Sequence, residues 1–186
     1  MMANGNMIVP YVLDPLHPKR LEIAIEIVKS FPQIKSEIIC DFATRLASQC
    51  AIQFPAFTVE SSLKNYGREP YGYLAITKPA WKEGMSICLE AQNAGLRDFV
   101  IGVQKSEESG GSWPELFAGL HEQYGSGRSN QWWYYYRRIT KFADWNHDTL
   151  RELCKPSTLD FFVDEFDHIR GIAEPMIDYA MSGRRA

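Results

Sequence analysis

The amino-acid sequence predicts an α+β fold, with an antiparallel β-meander of about five strands flanked by N-terminal and C-terminal helices. Three short apolar runs, at residues 71–76, 85–89 and 99–103, are rich in β-branched and aromatic residues, as strands are. The segments between them, residues 78–84 and 92–97, are too short for a helical crossover, so neighbouring strands are expected to be antiparallel. Because the strands cluster instead of alternating with helices, the pattern favours α+β over α/β.

Two helices are predicted before the meander. Residues 8–13 are expected to be a short extended segment, because Pro10 disfavours a central strand. Asp14 is followed by a proline, which is typical of an N-cap and first helical position, and apolar residues then recur at helical spacing as far as Phe31. Pro32 is expected to end or kink this amphipathic helix. A second helix is predicted over residues 33–50.

The elements on either side of the meander follow from turn and capping signals. Pro175 predicts a kink or an early end in the last helix. No repeat or long linker is evident, so the sequence predicts a single domain over residues 1–186. The predicted elements are an edge strand within residues 51–60, a helix from a capping box at Ser112 to about residue 124, a strand at residues 131–138, a short helix at residues 149–154 and a last helix from residue 158 towards Met181.

Composition and charge narrow the functional classes. The 186 residues are 45% hydrophobic and 23% charged, which is typical of a globular protein, and the net charge of −3 disfavours nucleic acid as the main partner. The first six residues do not resemble a signal peptide, and no apolar run is long enough for a membrane span. The four cysteines form no C-x-x-C pair, which favours a reducing compartment. We therefore expect a cytoplasmic protein without a membrane contact, a metal or a cofactor.

The apolar run at residues 85–89 offers one candidate for chemistry. Its strand ends in Glu90-Ala-Gln92. Metal-dependent nucleases typically have an acidic residue there and a lysine two residues later. Here Gln92 stands at that position, and Glu60 or Asp98 would have to supply the second acid. We therefore expect Glu90 to be non-catalytic. A divergent metal-dependent nuclease that uses Glu90 is the alternative.

The aromatic run at residues 131–138 offers a candidate for binding. Regular alternation along a strand would place Trp133, Tyr135 and Arg137 on one face, and a single-layer sheet can pack only one of its two faces on helices. The other face would then carry an exposed aromatic patch, and Trp, Tyr and Arg are enriched at binding hot spots. We predict that a protein partner or a homodimer mate docks at these three residues, with Lys141 at the rim. A nucleic-acid-binding module centred on Trp132 to Arg138, which would stack bases on the aromatic side chains, is a further alternative.

The order of aromatic residues and apolar runs in the second half of the chain resembles a known arrangement. It is similar to the region that follows the nuclease core in some PD-(D/E)XK nuclease-superfamily proteins of bacterial defence islands and prophages. This sequence lacks the acid and acid-x-lysine core upstream, so the resemblance implies a stand-alone binding domain, such as an inhibitor or immunity factor in bacterial or phage conflict, without inherited catalysis. The residues that carry it are Tyr71 to Leu74, Trp81, Glu90, Val100 to Val103, Trp132 and Trp133, and Asp144 and Trp145.

Overall fold

The computed structural model describes residues 8–63, 71–81, 85–93, 97–105, 112–143 and 146–182. The chain divides into two compact units with a boundary between Glu37 and Ile38. The five helices are α1 (Ile8–Val12), α2 (Lys19–Gln53), α3 (Pro114–Gln123), α4 (His147–Leu153) and α5 (Pro156–Met181). The five strands are β1 (Thr58–Ser61), β2 (Tyr73–Thr77), β3 (Ser86–Asn93), β4 (Arg97–Gln104) and β5 (Trp133–Arg138).

The strands form one sheet in the order β1-β2-β3-β4-β5, and every neighbouring pair is antiparallel. The predicted α+β meander is therefore confirmed. In the register of the sheet, Leu89 of β3 pairs with Leu74 of β2 on one side and with Ile101 of β4 on the other. Each of these three side chains is completely buried, as expected where two neighbouring strands carry apolar residues at the same register.

One face of the sheet, the core face, packs against helices. Residues of α3, α5 and the part of α2 that follows Ile38 join the sheet in a single apolar cluster. Phe162 of α5 illustrates the packing, with its ring 5.4 Å from the ring of Phe42 in α2 and 6.1 Å from that of Phe99 in β4. Burial of this face supplies the hydrophobic stabilisation of the second unit.

The opposite face of the sheet, the second face, carries a smaller buried cluster. It consists of Ala75, Cys88, Val100 and Trp133, with the rings of Tyr73 and Tyr136 packed against it. No described helical residue belongs to this cluster. The apolar runs are buried on both faces of the sheet, because Ile87 on the core face and Val100 on the second face expose 1% or less.

The N-terminal half differs from the sequence expectation. Residues 8–12 form the short helix α1 in place of an extended segment, because a proline in a first helical turn removes only an amide that has no intrahelical partner. Helix α2 begins at Lys19, not at the proline that follows Asp14, and continues through Pro32 to Gln53. Long stretches on both sides of Pro32 propagate the helix, and their cooperativity outweighs one lost hydrogen bond.

Helices α3 and α5 also differ from the sequence expectation, each in one detail. The capping box at Ser112 is not formed, because Trp113 is the N-cap residue of α3 and no side chain caps it. Helix α5 begins at Pro156 and continues through Pro175 to Met181, so the expected early end is absent. No helix among the described residues has the length and apolar composition that crossing a bilayer requires.

Candidate docking surface

The predicted binding residues of β5 do not all lie on one face of the sheet, because the strand contains a bulge. Gln104 of β4 pairs with Trp133, whereas the preceding Val103 pairs with Tyr135, so Tyr134 is an extra residue in β5. Trp133 therefore joins the second-face cluster, while Tyr135 joins the core-face cluster. The expectation that Trp133, Tyr135 and Arg137 form one patch was wrong, since an extra residue reverses the alternation.

Both aromatic side chains are packed inside the chain. Trp133 exposes 4% of its surface and Tyr135 exposes none. The hydroxyl of Tyr135 donates a hydrogen bond of 2.6 Å to the carbonyl oxygen of Gly125. A Cβ atom at Gly127 would lie 2.2 Å from the Tyr135 ring, so only glycine allows this close approach. These residues stabilise the fold, and their role in binding stays a prediction.

Arg137 joins β5 to α5 through a buried charge cluster. Its Nη2 donates to both oxygens of Glu165, at 2.8 and 2.5 Å, and its guanidinium lies 4.0 Å from the centre of the Tyr124 ring. The Tyr124 hydroxyl donates to the same carboxylate. Burial lowers the pKa of Arg137, but its bonds to Glu165 outweigh burial, so its pKa lies above the ordinary value. The charge of Arg137 is therefore used within the fold.

Lys141 differs from the other three predicted residues because it is exposed. It lies in a short 3-10 helix, Thr140–Phe142, that follows β5. Its ammonium is 5.3 Å from the centre of the Phe142 ring and 5.7 Å from that of Phe161, which fits a weak cation–π contact. Lys141 by itself forms no patch with the buried residues of β5.

Glu90 lies on the second face, within a network of amide side chains. Gln92 donates to its Oε1 at 2.8 Å and Gln104 donates to its Oε2 at 3.1 Å. Burial raises the pKa of Glu90, and these two hydrogen bonds offset part of the rise. Ser86 lies opposite Gln104 in the sheet, so the bond from Gln104 to Glu90 passes over Cys88. The Cys88 thiol, which lies between these residues on the second face, is completely buried.

The second acid that metal chemistry would need is not placed beside Glu90. Asp98 accepts a hydrogen bond of 3.4 Å from Asn93 and forms an ion pair of 3.3 Å with Arg138. Glu60 lies on β1, opposite Ala75, and β2 separates its strand from β3. Among the described residues, no group of three or more potential metal ligands occurs.

The exposed apolar side chains concentrate in the first unit. Twelve of the sixteen large hydrophobic side chains that are exposed among the described residues lie between Ile8 and Ile34. Val28, with 72% of its surface exposed, and Ile27, with 55%, mark the middle of this surface on α2. We call these twelve side chains the docking face: Ile8, Val9, Tyr11, Leu13, Leu16, Leu21, Ile23, Ile25, Ile27, Val28, Phe31 and Ile34.

The part of the docking face on α2 follows a helical repeat. Leu21, Ala24, Val28 and Phe31 are separated by steps of three, four and three residues, so they form one line along the helix. Isoleucines lie on both sides of this line and widen the apolar arc. The opposite side of the helix is polar and carries Glu22, Glu26, Lys29, Gln33 and Glu37.

A polar corner attaches α1 to the start of α2. The Asp14 carboxylate accepts hydrogen bonds from the Leu16 amide at 3.0 Å and from Arg20 at 2.9 Å. Together with His17 at 2.9 Å, these contacts lower the pKa of Asp14, and the Leu16 amide contributes most. The Arg20 guanidinium also lies 4.1 Å from the centre of the Tyr11 ring. These contacts join the end of α1 to the start of α2.

The sequence contains the periodicity of this surface but not its exposure. The apolar spacing up to Phe31 identifies an amphipathic helix, yet periodicity does not tell whether its apolar face packs on its own chain or on another molecule. The exposure of α2 could be predicted only by asking which other apolar segments are available to cover it. Among the described residues of the first unit, only the five-residue helix α1 could cover it.

No family model, no curated protein and no solved structure matches this chain. The similarity to the region beyond the core of PD-(D/E)XK proteins therefore stays a prediction from the sequence.

Proposed function

We propose that this chain is a non-catalytic binding protein that acts on a protein partner, and that the partner docks on the docking face of residues 8–34. The observation that carries the proposal is the concentration of exposed apolar side chains there. Scattered apolar residues are normal on protein surfaces, but a contiguous apolar patch of this size marks a contact site.

The area of the docking face is large enough to drive association. Weighted by their exposed fractions, the twelve side chains expose roughly 700 Å², taking about 100 Å² for a fully exposed side chain. A typical monomer has a largest apolar patch of about 300–600 Å². Covering roughly 700 Å² would contribute about 17 kcal/mol at about 25 cal/mol per Å². Association costs about 4–15 kcal/mol, so a surplus remains for binding.

The charges around the docking face favour protein over nucleic acid or lipid. The charges of residues 8–37 balance, with Asp14, Glu22, Glu26 and Glu37 against Lys19, Arg20, Lys29 and Lys35. Phosphate groups of nucleic acid and of anionic lipids are attracted by an excess of Lys and Arg, and this stretch has no such excess. An apolar arc with a mixed polar side is instead typical of a helix that packs against another protein surface.

The wider role that we propose is that of an inhibitor or immunity factor in bacterial or phage conflict, supported by the sequence resemblance alone.

The hydrogen bonds at Glu90 favour a non-catalytic role. Both of its oxygens accept amide hydrogens, from Gln92 and Gln104, and a metal ion would have to displace them. The side chains that contact Glu90 are thus two neutral amides, whereas Mg²⁺ prefers anionic oxygen ligands.

Site-specific photo-crosslinking tests this proposal. A photoreactive residue placed at Val28 in cells that produce the protein should give a covalent adduct with another polypeptide, which peptide masses identify. The matched control is position 26, because Glu26 is similarly exposed, at 69%, and lies on nearly the opposite side of α2. Adducts at position 28 and not at position 26 are expected. Equal adducts at both positions, or none at position 28, would overturn the proposal.

A further inference from the structure

We propose that the second unit holds a binding site for an aromatic carboxylate, in a cleft between the end of β4, the start of α3 and the segment that leads into β5. The cleft has a volume of about 190 Å³ and is lined by residues of all three segments. All of these residues belong to the second unit, so the inference is independent of the docking face and of the function proposed for it.

Aromatic side chains form the walls of the cleft. Trp113 is the N-cap residue of α3, and Phe117 lies one turn further along the helix. Tyr134 is the extra residue of the bulge in β5, a feature that can redirect a side chain. The rings of Trp113 and Tyr134 are 5.6 Å apart between their centres and nearly perpendicular, at 83°. A flat ring can stack on one of these rings while its edge meets the other.

The volume of the cleft limits the apolar part of the ligand to about one ring. A dry apolar cavity of about 150 Å³ in another protein binds benzene. A cleft of about 190 Å³ therefore has room for one ring and a small substituent. Drug-sized ligands occupy pockets of about 300–1,000 Å³, so a nucleotide or an extended peptide is too large to be enclosed.

Lys105 determines the charge of the substituent. It follows β4 and is the one charged side chain among the described residues that line the cleft. Its ammonium lies 5.4 Å from the centre of the Tyr134 ring and has no carboxylate partner among the described residues. One ammonium balances one carboxylate, whereas a phosphate monoester carries a charge of about −1.5 to −2. Ser112 and Ser129 also line the cleft, and their hydroxyls can donate to carboxylate oxygens.

Two sources present a ring and a carboxylate within this small volume. One is a free aromatic acid, and the other is an aromatic residue at the C-terminus of a polypeptide. Both offer the same chemistry to Lys105 and to the aromatic walls, so the probes below include one of each kind.

NMR titration of the ¹⁵N-labelled protein tests the inference. The probes are benzoate and benzamide, which have nearly the same shape and differ in charge. Benzoate should shift the backbone amides of Lys105 and Phe117 and the indole N–H of Trp113. Its Kd should be about tenfold lower than that of benzamide, because a hydrogen bond to a charged group contributes more than a neutral one.

Lys105→Met assigns this preference to one side chain. Methionine keeps an aliphatic stem and removes the charge, so the Kd of benzoate should rise about tenfold and that of benzamide should stay the same. Lys155→Met is the matched control, because Lys155 is an exposed lysine of the same unit, between α4 and α5, and this change should leave both Kd values as in the wild type. The comparison of benzoate with benzamide in the wild-type protein remains decisive if Lys105→Met does not fold.

Glycyl-glycyl-phenylalanine distinguishes the two sources. Tighter binding of this peptide than of benzoate would identify the C-terminus of a polypeptide as the ligand, and tighter binding of benzoate would identify a free aromatic acid. Equal Kd values for benzoate and benzamide, or no shift at Lys105 and Trp113 with any probe, would overturn the site. An unchanged Kd of benzoate in folded Lys105→Met, or tighter binding of phenyl phosphate than of benzoate, would overturn the carboxylate assignment.

Discussion

Replacement of Arg137 by methionine removes the cation that a largely buried carboxylate depends on. The Glu165 side chain is 13% exposed, and both of its oxygens accept hydrogen bonds from Arg137. Methionine keeps an aliphatic stem of similar length against Tyr124 but provides no donor. Glu165 then retains only the Tyr124 hydroxyl as a donor within the cluster. We expect the variant to fold with a large loss of stability.

The magnitude follows from the burial of the pair. Removing one member of a buried ion pair costs about 3–5 kcal/mol, because the other charge is left without compensation. Arg137 is 32% exposed, and its Nε is buried without an acceptor among the described residues, so the pair is not ideal. The lost contact with the Tyr124 ring adds about 0.5–2 kcal/mol. We therefore expect a decrease of about 3 kcal/mol in the free energy of unfolding.

Urea unfolding measures this loss, with Glu165→Gln as the partner variant. The glutamine keeps an acceptor for Tyr124 and carries no charge. The double variant Arg137→Met/Glu165→Gln should be more stable than Arg137→Met alone, because no uncompensated charge remains buried. A loss below about 0.5 kcal/mol for Arg137→Met, the range of ordinary surface substitutions, would contradict the buried-pair account. A double variant that is no more stable than Arg137→Met would contradict it as well.

Three further predictions concern the sheet. Leu89→Ala should cost about 2–5 kcal/mol in calorimetry, and a loss below about 0.5 kcal/mol would mean that β3 is peripheral. Gly102→Ala should cost more than the about 1–3 kcal/mol of ordinary overpacking, because its Cβ would lie 2.0 Å from the Tyr135 carbonyl oxygen. Gly171→Ala in α5 is its control, since nothing lies within 4 Å, and equal losses would refute the clash. Because burial raises the pKa of Glu90 from its ordinary value of 4.5, the contribution of Glu90 to stability should decrease as the pH rises from 4.5 through the raised pKa. Glu90→Gln should lack this decrease, and identical pH profiles of urea unfolding would refute it.

The meander could be predicted from the sequence because its information is local. Short loops between apolar runs allow only antiparallel neighbours, so Leu74, Leu89 and Ile101 could be placed in one sheet and in its core. The continuation of α2 through Pro32 could not be predicted. The expectation that a proline ends a helix considers that residue alone, and not the cooperativity of the helical segments on both sides of it.

The candidate site depended on information that is not local. One extra residue at Tyr134 moves Trp133 to the other face of the sheet, and a bulge has no signal in an aromatic run. The pair between Arg137 and Glu165 joins residues far apart in the sequence. The docking face was visible as periodicity, but its exposure depends on how few apolar elements remain to cover it. Val28 is an example, because its place in the helical repeat is visible in the sequence but its 72% exposure is not.

Hydroxyl-radical footprinting measures most directly whether the docking face is covered when the protein is assembled. Phe31 on the docking face and Tyr179 on α5 are aromatic side chains with similar exposure in the single chain, 47% and 51%. Oxidation of intact cells that produce the protein, followed by peptide mass analysis, compares the two residues within the same molecules. We predict that Phe31 is oxidised far more slowly than Tyr179, and that Val28→Asp removes this protection. Rates for Phe31 and Tyr179 that follow their similar exposures, in the wild-type protein as in the variant, would contradict the account.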